Sequence, residues 1–293
     1  MNRSIADAVK DKYGESVSIT GKDPAYGGDI NESYVLTLSN DEKIFLKRNA
    51  RMKEDFFDAE ARGLLAIAKT GAIDAARPVA VGTDESGAYL LLEYINRGSK
   101  NNSFWEEFGR KLALMHKAGT SGFVSGGTYG FLSDNYIGAT PQSNTACGSW
   151  CELFGTYRLE VQFKMAWRYF DDDMRRRIGA LLDGLDKWMI EPSFPSLIHG
   201  DLWGGNFMVS SDDQPVLIDP AAYVGCSEAD IAMTELFGGF APAFYDSYRA
   251  ENPFAAGYSD RRDLYNLYHL LNHLNLFGLS YLSGVARIVR RYA

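Results

Sequence analysis

Apolar residues alternate in two short runs, Leu36/Leu38 and Ile44-Phe45-Leu46, with the turn formers Ser39-Asn40-Asp41 between them. That pattern predicts a β-hairpin. The period then changes: Phe56, Phe57, Glu60, Leu64, Leu65 and Ile67 recur at helical spacing up to a stop at Gly71, which predicts a helix. Residues 78–82 and 88–95 follow as two further strands, the second almost wholly apolar and so expected to be buried. Strands, one helix and more strands describe an antiparallel sheet with a helix packed on it. The polar stretch 96–102 (NRGSKNN) interrupts the pattern as a hinge. Beyond it Phe104, Phe108, Leu112 and Met115 share one helical face, and residues 264–277 have the same character. A short strand pair is expected around 216–219. The pattern therefore predicts an α+β fold in two lobes. Residues 1–95 form an N-terminal lobe of antiparallel sheet plus helix, and 96–293 a mainly helical C-terminal lobe.

Composition narrows the function classes. A net charge of -8 opposes a nucleic-acid binder, which needs a basic stripe to displace counterions from phosphates. The first residues mix Arg3, Asp7, Lys10, Asp11, Lys12 and Glu15 with apolar ones, so neither a signal peptide nor a membrane span is expected, and a cytoplasmic location is. Cys147, Cys151 and Cys226 give an odd count that suits a reducing compartment. No Cys/His pair follows at zinc-ligand spacing, so no structural metal is expected. The run Asp171-Asp172-Asp173-Met174-Arg175-Arg176-Arg177 reads as a solvated helix start, with acid in the first turn and base one turn later.

The densest chemistry lies in Ile198-His199-Gly200-Asp201-Leu202-Trp203-Gly204-Gly205-Asn206, with Leu217-Ile218-Asp219-Pro220 shortly after. Phosphoryl transfer needs one carboxylate at the acceptor hydroxyl and oxygen ligands for the Mg²⁺ that neutralises the triphosphate. Asp201 and Asn206 stand five apart, the offset of the Asp and Asn in the kinase loop H-R-D-L-x-x-x-N. Asp219 ends an apolar strand as the metal-binding Asp of D-F-G does, with Pro220 in place of Phe. Asp201 is thus the expected catalytic base, and Asn206 and Asp219 the expected Mg²⁺ ligands. Lys47 follows Ile44-Phe45-Leu46, and Glu60 lies thirteen residues on in the predicted helix. This is the pairing that holds the α- and β-phosphates of ATP. Gly27 and Gly28 precede the hairpin where a phosphate-covering loop belongs, without the full G-x-G-x-x-G. Glu93, Tyr94 and Ile95, at the end of the buried strand, are expected to offer backbone groups to adenine. His199 is expected to orient the loop by hydrogen bonds.

With these residues in hand, the chain resembles the fructosamine (ketosamine, ribulosamine) kinase family, within the aminoglycoside-phosphotransferase-like branch of the protein-kinase-like fold. The resemblance rests on residues 199–206 (HGDLWGGN), where Trp203 sets this group apart, and on 218–221 (IDPA), 236–240 (LFGGF) and 267–278. Trp150, Phe154, Arg158, Leu159 and Gln162 match the spacing of the family's insert before the loop. The resemblance implies transfer of the γ-phosphate of ATP to the O3 hydroxyl of a ketosamine, free or protein-bound, leading to deglycation. His199, Trp203 and Arg158 would then be substrate-side residues. An aminoglycoside or choline-type acceptor, or a nucleotide-binding pseudokinase, are the alternatives; retention of Asp201, Asn206, Asp219 and Lys47 argues against the last. The chain departs from the family at Cys226, where a His is usual.

Overall fold

The computed structural model describes residues 3–25 and 31–293. Helix α1 (Ile5–Tyr13), capped by Ser4, precedes strands β1 (Ile19–Pro24), β2 (Glu32–Leu38) and β3 (Lys43–Asn49). Helix α2 (Glu54–Lys69), the two-residue strand β4 (Asp74–Ala75), β5 (Pro78–Asp84) and β6 (Gly87–Glu93) follow. Five of these strands form one sheet in the order β1-β2-β3-β6-β5, each neighbouring pair antiparallel. The predicted hairpin is β2–β3, with Val35 opposite Phe45 and Asp41 left-handed at φ 66° in its turn.

Strand alternation decides what each face meets. Ile44, Leu46, Tyr89 and Leu91 point to one side and close a small core with Ala8 and Val9 of α1. Ala88, Leu90 and Leu92 point to the other and join Phe57, Leu64 and Ile67 of α2 in the main core. Lys47 lies opposite Leu90 and therefore on the α2 face, which is why a lysine on this strand reaches a glutamate on that helix.

The remainder is mainly helical. Helix α3 (Phe104–Lys117), the hairpin β7 (Asn135–Ile137) and β8 (Thr140–Gln142), and helix α4 (Trp150–Phe154) come first. A π-helical turn, Gly155–Glu160, then joins α4 to α5 (Val161–Ala166), followed by α6 (Asp172–Asp183). The charge run opens α6 as expected: Asp171 caps it, and Arg176 and Arg177 pair with Asp173 at 2.9 and 2.8 Å. Four short strands follow: β9 (Ser196–Ile198), β10 (Phe207–Val209), β11 (Pro215–Leu217) and β12 (Tyr223–Gly225). Helices α7 (Ser227–Leu236), α8 (Pro242–Glu251), α9 (Tyr258–Phe277) and α10 (Leu282–Tyr292) complete the chain.

Strand β11 pairs antiparallel with β10 and parallel with β4, so a strand from before the polar stretch 96–102 belongs to a sheet of the catalytic region. The main apolar core is likewise continuous from α2 to α10. Among the described residues no helix is long and apolar enough to cross a membrane.

Candidate active site

The chain leaves β9 at Ile198 and turns sharply at Gly200, whose φ is 81°. A Cβ there would lie 2.3 Å from the carbonyl oxygen of Ala221, so only glycine fits. The turn is held from behind by Asp230 of α7, which accepts hydrogen bonds from the backbone N–H of His199 (2.6 Å) and Gly200 (2.8 Å). His116 of α3 stands 3.1 Å from the same carboxylate. Burial pushes the Asp230 pKa up, but the hydrogen bond and charge of His116, with those of His199, overcome it and hold the group below the usual carboxylate range.

His199 is fully buried. Its Nε2–H donates to the Ile218 carbonyl (2.8 Å), and its Nδ1 accepts from the Asp201 N–H (3.3 Å). One donor and one acceptor make it a neutral imidazole, in line with the downward push of burial on its pKa. It fixes the loop from inside and does not line the cavity, so the expectation of a substrate contact is corrected to its orienting role. Asn206 completes the loop: its Nδ2 donates to the Asp201 carbonyl (2.8 Å) and to Asp201 Oδ2 (3.1 Å), and its carbonyl accepts from the Ile218 N–H (3.1 Å).

Asp219 follows in the left-handed region at φ 55°. Pro220 then packs against α2 at Gly63, where an added Cβ would lie 3.1 Å from Pro220 Cγ. This close approach brings Asp219 to Lys47, whose Nζ bonds Asp219 Oδ1 and, at 2.7 Å, Glu60 Oε1. Burial disfavours the ammonium, yet the two carboxylates outweigh it and raise the Lys47 pKa. Burial raises that of Glu60. Asp201 is pushed up to about 7, first by burial and then by the charges of Asp219 and Asp230, against the hydrogen bond from Asn206. His269 Nδ1 lies 3.8 Å from Asp201 Oδ1, but burial drives its pKa down to about 3; it is a neutral neighbour and not an ion-pair partner.

These groups open on a cavity of about 670 Å³. Lys47, Glu60, Asp201 and Asp219, with the amide of Asn206, form its polar side. Facing them is an aromatic rim in which His273 lies 5.1 Å from Phe237 and 5.0 Å from Tyr281, ring to ring, with Phe277 alongside. Trp203 is also at this rim and 41% exposed. The β7–β8 hairpin closes a further wall with Asn135, Tyr136 and Gly138, and Tyr136 packs 4.9 Å from Phe56 of α2.

Of the residues expected from sequence, the fold thus gathers Lys47, Glu60, Asp201, Trp203, Asn206 and Asp219. Arg158 is not among them: it is completely buried, bonded to Ser143 and Asn144, and this corrects its placement as a substrate contact. Glu93 ends β6 and Tyr94 and Ile95 follow it, all three outside the lining; the Glu93 N–H is engaged by the Arg77 carbonyl (2.9 Å). Gly27 and Gly28 lie outside the described residues.

Sequence reasoning passed over Asp230, Asn135, Tyr136, His273 and Tyr281. Asp230 had one signal, a lone carboxylate in the apolar run Ala229 to Met233. The hairpin residues had none.

The donor set suits a hard divalent cation. Asn206 spends its NH₂ on Asp201, while its Oδ1 meets no donor among the described residues, and Asp219 adds a carboxylate that is 38% exposed. Two oxygens from protein, the rest from phosphate and water, is the shell Mg²⁺ takes.

Comparison with known proteins agrees with this geometry. The family model "Fructosamine kinase" matches residues 1–293. A probable ketoamine kinase of Synechocystis sp. is 38% identical, over 99% of this chain and 96% of its own. The chloroplastic protein-ribulosamine 3-kinase of Arabidopsis thaliana is 40% identical over 95% of this chain and 84% of its own. Among solved structures, a Haemophilus somnus protein with the provisional name fructosamine-3-kinase superposes with a TM-score of 0.86 at 29% identity, covering 99% of this chain and 96% of that one. An aminoglycoside phosphotransferase, solved with AMP-PNP and hygromycin B, shares the fold alone, with a TM-score of 0.64 at 15% identity over 99% and 96% of the two chains. A loop that joins Asp201 to Asn206, a lysine set between Glu60 and Asp219, and a match along the whole chain lead to one assignment: the chain belongs to the fructosamine kinase family.

Proposed function

We propose that this enzyme transfers the γ-phosphate of ATP to the O3 hydroxyl of a ketosamine, forming the O3–phosphorus bond as the bond from phosphorus to the bridging oxygen of ADP breaks. The observation that carries the proposal is the convergence of Lys47, Glu60, Asp201, Asn206 and Asp219 on one cavity. Asp201 receives the hydroxyl proton; a carboxylate whose pKa is near 7 is suited to that task at neutral pH. Lys47, held by Glu60, meets the phosphates. Asn206 and Asp219 would hold Mg²⁺, which when bound would neutralise charge developing on the phosphoryl oxygens.

The names of the relatives support a ketosamine acceptor, and AMP-PNP in the aminoglycoside phosphotransferase supports ATP. The aromatic rim beside the carboxylates suits an acceptor with a protonated amine, which aromatic faces attract. Adenine is assigned to the segment from Glu93 to Ile95, the phosphate-covering loop to Gly27 and Gly28, and the lobe boundary to residue 95. The charge of -8 favours a small cationic substrate over nucleic acid, and three unpaired cysteines favour the cytoplasm, although the Arabidopsis relative is chloroplastic.

The test is ADP release with ribulosamine, fructosamine and aminoglycoside acceptors, with and without EDTA. Turnover confined to ketosamines and abolished by EDTA is expected. Turnover of the aminoglycoside alone, or undiminished rates in EDTA, would overturn the reading.

A further inference from the structure

Arg158 is a fully buried charged group that the proposed reaction leaves unused. It is 0% exposed, and its partners are two carbonyls, an amide and a ring: Ser143 O at 2.6 Å, Tyr157 O at 3.2 Å, Asn144 Oδ1 at 2.6 Å and the Tyr223 ring at 4.0 Å. Among the described residues no carboxylate pairs with it, and its Nε–H has no acceptor. A buried guanidinium without a counter-ion is costly where only packing is needed. It also sits in a π-helical turn, Gly155–Glu160, a rare conformation frequent at functional sites.

The bonds lead in one direction. Arg158 fixes Asn144 Oδ1, and the same amide's Nδ2 donates to Asn135 Oδ1 at 2.9 Å. Asn135 Oδ1 also accepts from Gln142 Nε2 at 2.8 Å, while its own Nδ2 donates to the Ala222 carbonyl at 2.8 Å. Gln142 reaches the Ala221 carbonyl at 3.2 Å and receives the hydroxyl of Tyr268 from α9. Asn135 lines the cavity, and Ala221 and Ala222 directly follow Asp219-Pro220. This amide relay therefore locks the β7–β8 wall to the segment that carries Asp219. Backbone carbonyls fix the NH₂ end of each amide, Ser133 O for Asn144 at 3.1 Å and Ala222 O and Ala221 O for Asn135 and Gln142. Arg158, which can only donate, holds the other end of Asn144 by meeting its Oδ1.

We propose that Arg158 is a positioning residue for the acceptor side of the site, setting the orientation of Asn144 and through it the cavity wall of Asn135, Tyr136 and Gly138. The kinetic arm of the test rests on the ketosamine reading; the exchange arm does not.

The variants are Arg158→Lys, Asn135→Ala and their combination, in the full chain. Each single change should raise KM for the ketosamine about five- to thirtyfold while KM for ATP stays within about twofold, the scale of one coupled hydrogen-bond link. The combination should be no worse than the poorer single, because both cut one relay. Hydrogen exchange across residues 135–142 should quicken, and that of α2 should not. Should Arg158→Lys fail to fold, Asn144→Ala cuts the relay one link on and is judged by the same readouts. Parallel rises in both KM values, multiplicative singles, or unchanged exchange in the hairpin would each overturn the positioning role. Should no ketosamine be turned over by the unaltered enzyme, the functional reading falls while the exchange result still decides the relay.

Discussion

Asp201→Asn should make the protein more stable and nearly inactive, and both effects follow from one cause. Burial, with Asp219 and Asp230 nearby, raises the carboxyl from 3.8 to about 7. Each pH unit of that rise is about 1.4 kcal/mol, so the charged carboxylate costs the fold up to about 4 kcal/mol above pH 7. The amide needs its own desolvation and partners, at about 1–2 kcal/mol, which leaves a net gain of about 2 kcal/mol. For a chain of this length that corresponds to a melting point higher by about 3 °C. The sign with pH is fixed. The folded state keeps a proton that the unfolded state has lost, so this group lowers wild-type stability progressively as pH rises from about 4 to 7. At pH 5 the folded carboxyl is still protonated while the unfolded one is largely ionised, so only about 1.6 kcal/mol of the penalty is present; the amide's own cost offsets it, and the gap should nearly close. The assay is thermal melting of both proteins at pH 5 and pH 8, beside steady-state kinetics with a ketosamine. The rate should fall about 10²- to 10⁴-fold, the usual contribution of a positioned base. A variant that melts at or below wild type at pH 8, or gains equally at pH 5, refutes the desolvation argument. A rate within a few-fold of wild type refutes the base.

Lys47→Met removes the cation between Glu60 and Asp219 and should cost about 3 kcal/mol in urea unfolding; Glu60→Gln in the same chain should restore part of it, and no restoration would show that repulsion is not the cause. Gly200→Ala meets both a φ of 81° and a carbonyl 2.3 Å from the new Cβ, so it should cost about 2 kcal/mol or more with loss of turnover; a native melt and rate would show that the turn relaxes freely. Asp230→Ala strips the acceptor from two buried backbone N–H groups and should lower stability by about 3–5 kcal/mol; a soluble variant with native kcat would remove Asp230 from the loop's support.

What could be read from sequence was what local rules control. The β2–β3 hairpin, α2, β5, β6 and the start of α3 declare themselves through period and turn chemistry, and Asp201, Asn206 and Asp219 through short spacing beside strands. Lys47 and Glu60 were legible through the motif of a lysine closing an apolar strand and a glutamate in the next helix, and strand parity, which puts Lys47 on the α2 face, is why the two meet. The misses are long-range. β4 is only two residues and exists because β11 offers it a parallel edge. The aromatic rim draws Phe237 from the end of α7 and His273 from α9, far apart in the chain, and Asn135 enters the cavity through a hairpin too short to show alternation. Arg158 was placed near the substrate because it falls in the segment whose spacing resembles the family's insert before the catalytic loop. A charged residue in such an insert reads as a contact until its burial is known.

The helical region does more than cover the sheet. The site departs from ordinary backbone at Gly200 and Asp219, and such departures persist only where surrounding bonds over-determine them. The bonds converge on Asp230 from two other helices, α8 and α3. Asn252 at the end of α8 donates to the Tyr248 hydroxyl at 2.9 Å, that hydroxyl lies 2.7 Å from His116 Nδ1, and His116 Nε2 faces Asp230. The chain thus ends on a carboxylate that has two loop N–H groups on its other side. Every donor points toward Asp230, which lets it stay charged although it is 1% exposed, where an unpaired buried carboxylate would take up a proton. A protonated Asp230 has one acceptor oxygen fewer for the loop, and the turn at Gly200 would lose half its support. The charge of a residue that touches no substrate therefore governs how firmly Asp201 is held. The same low dielectric that raises Asp201 to about 7 strengthens the bonds that hold its backbone in place.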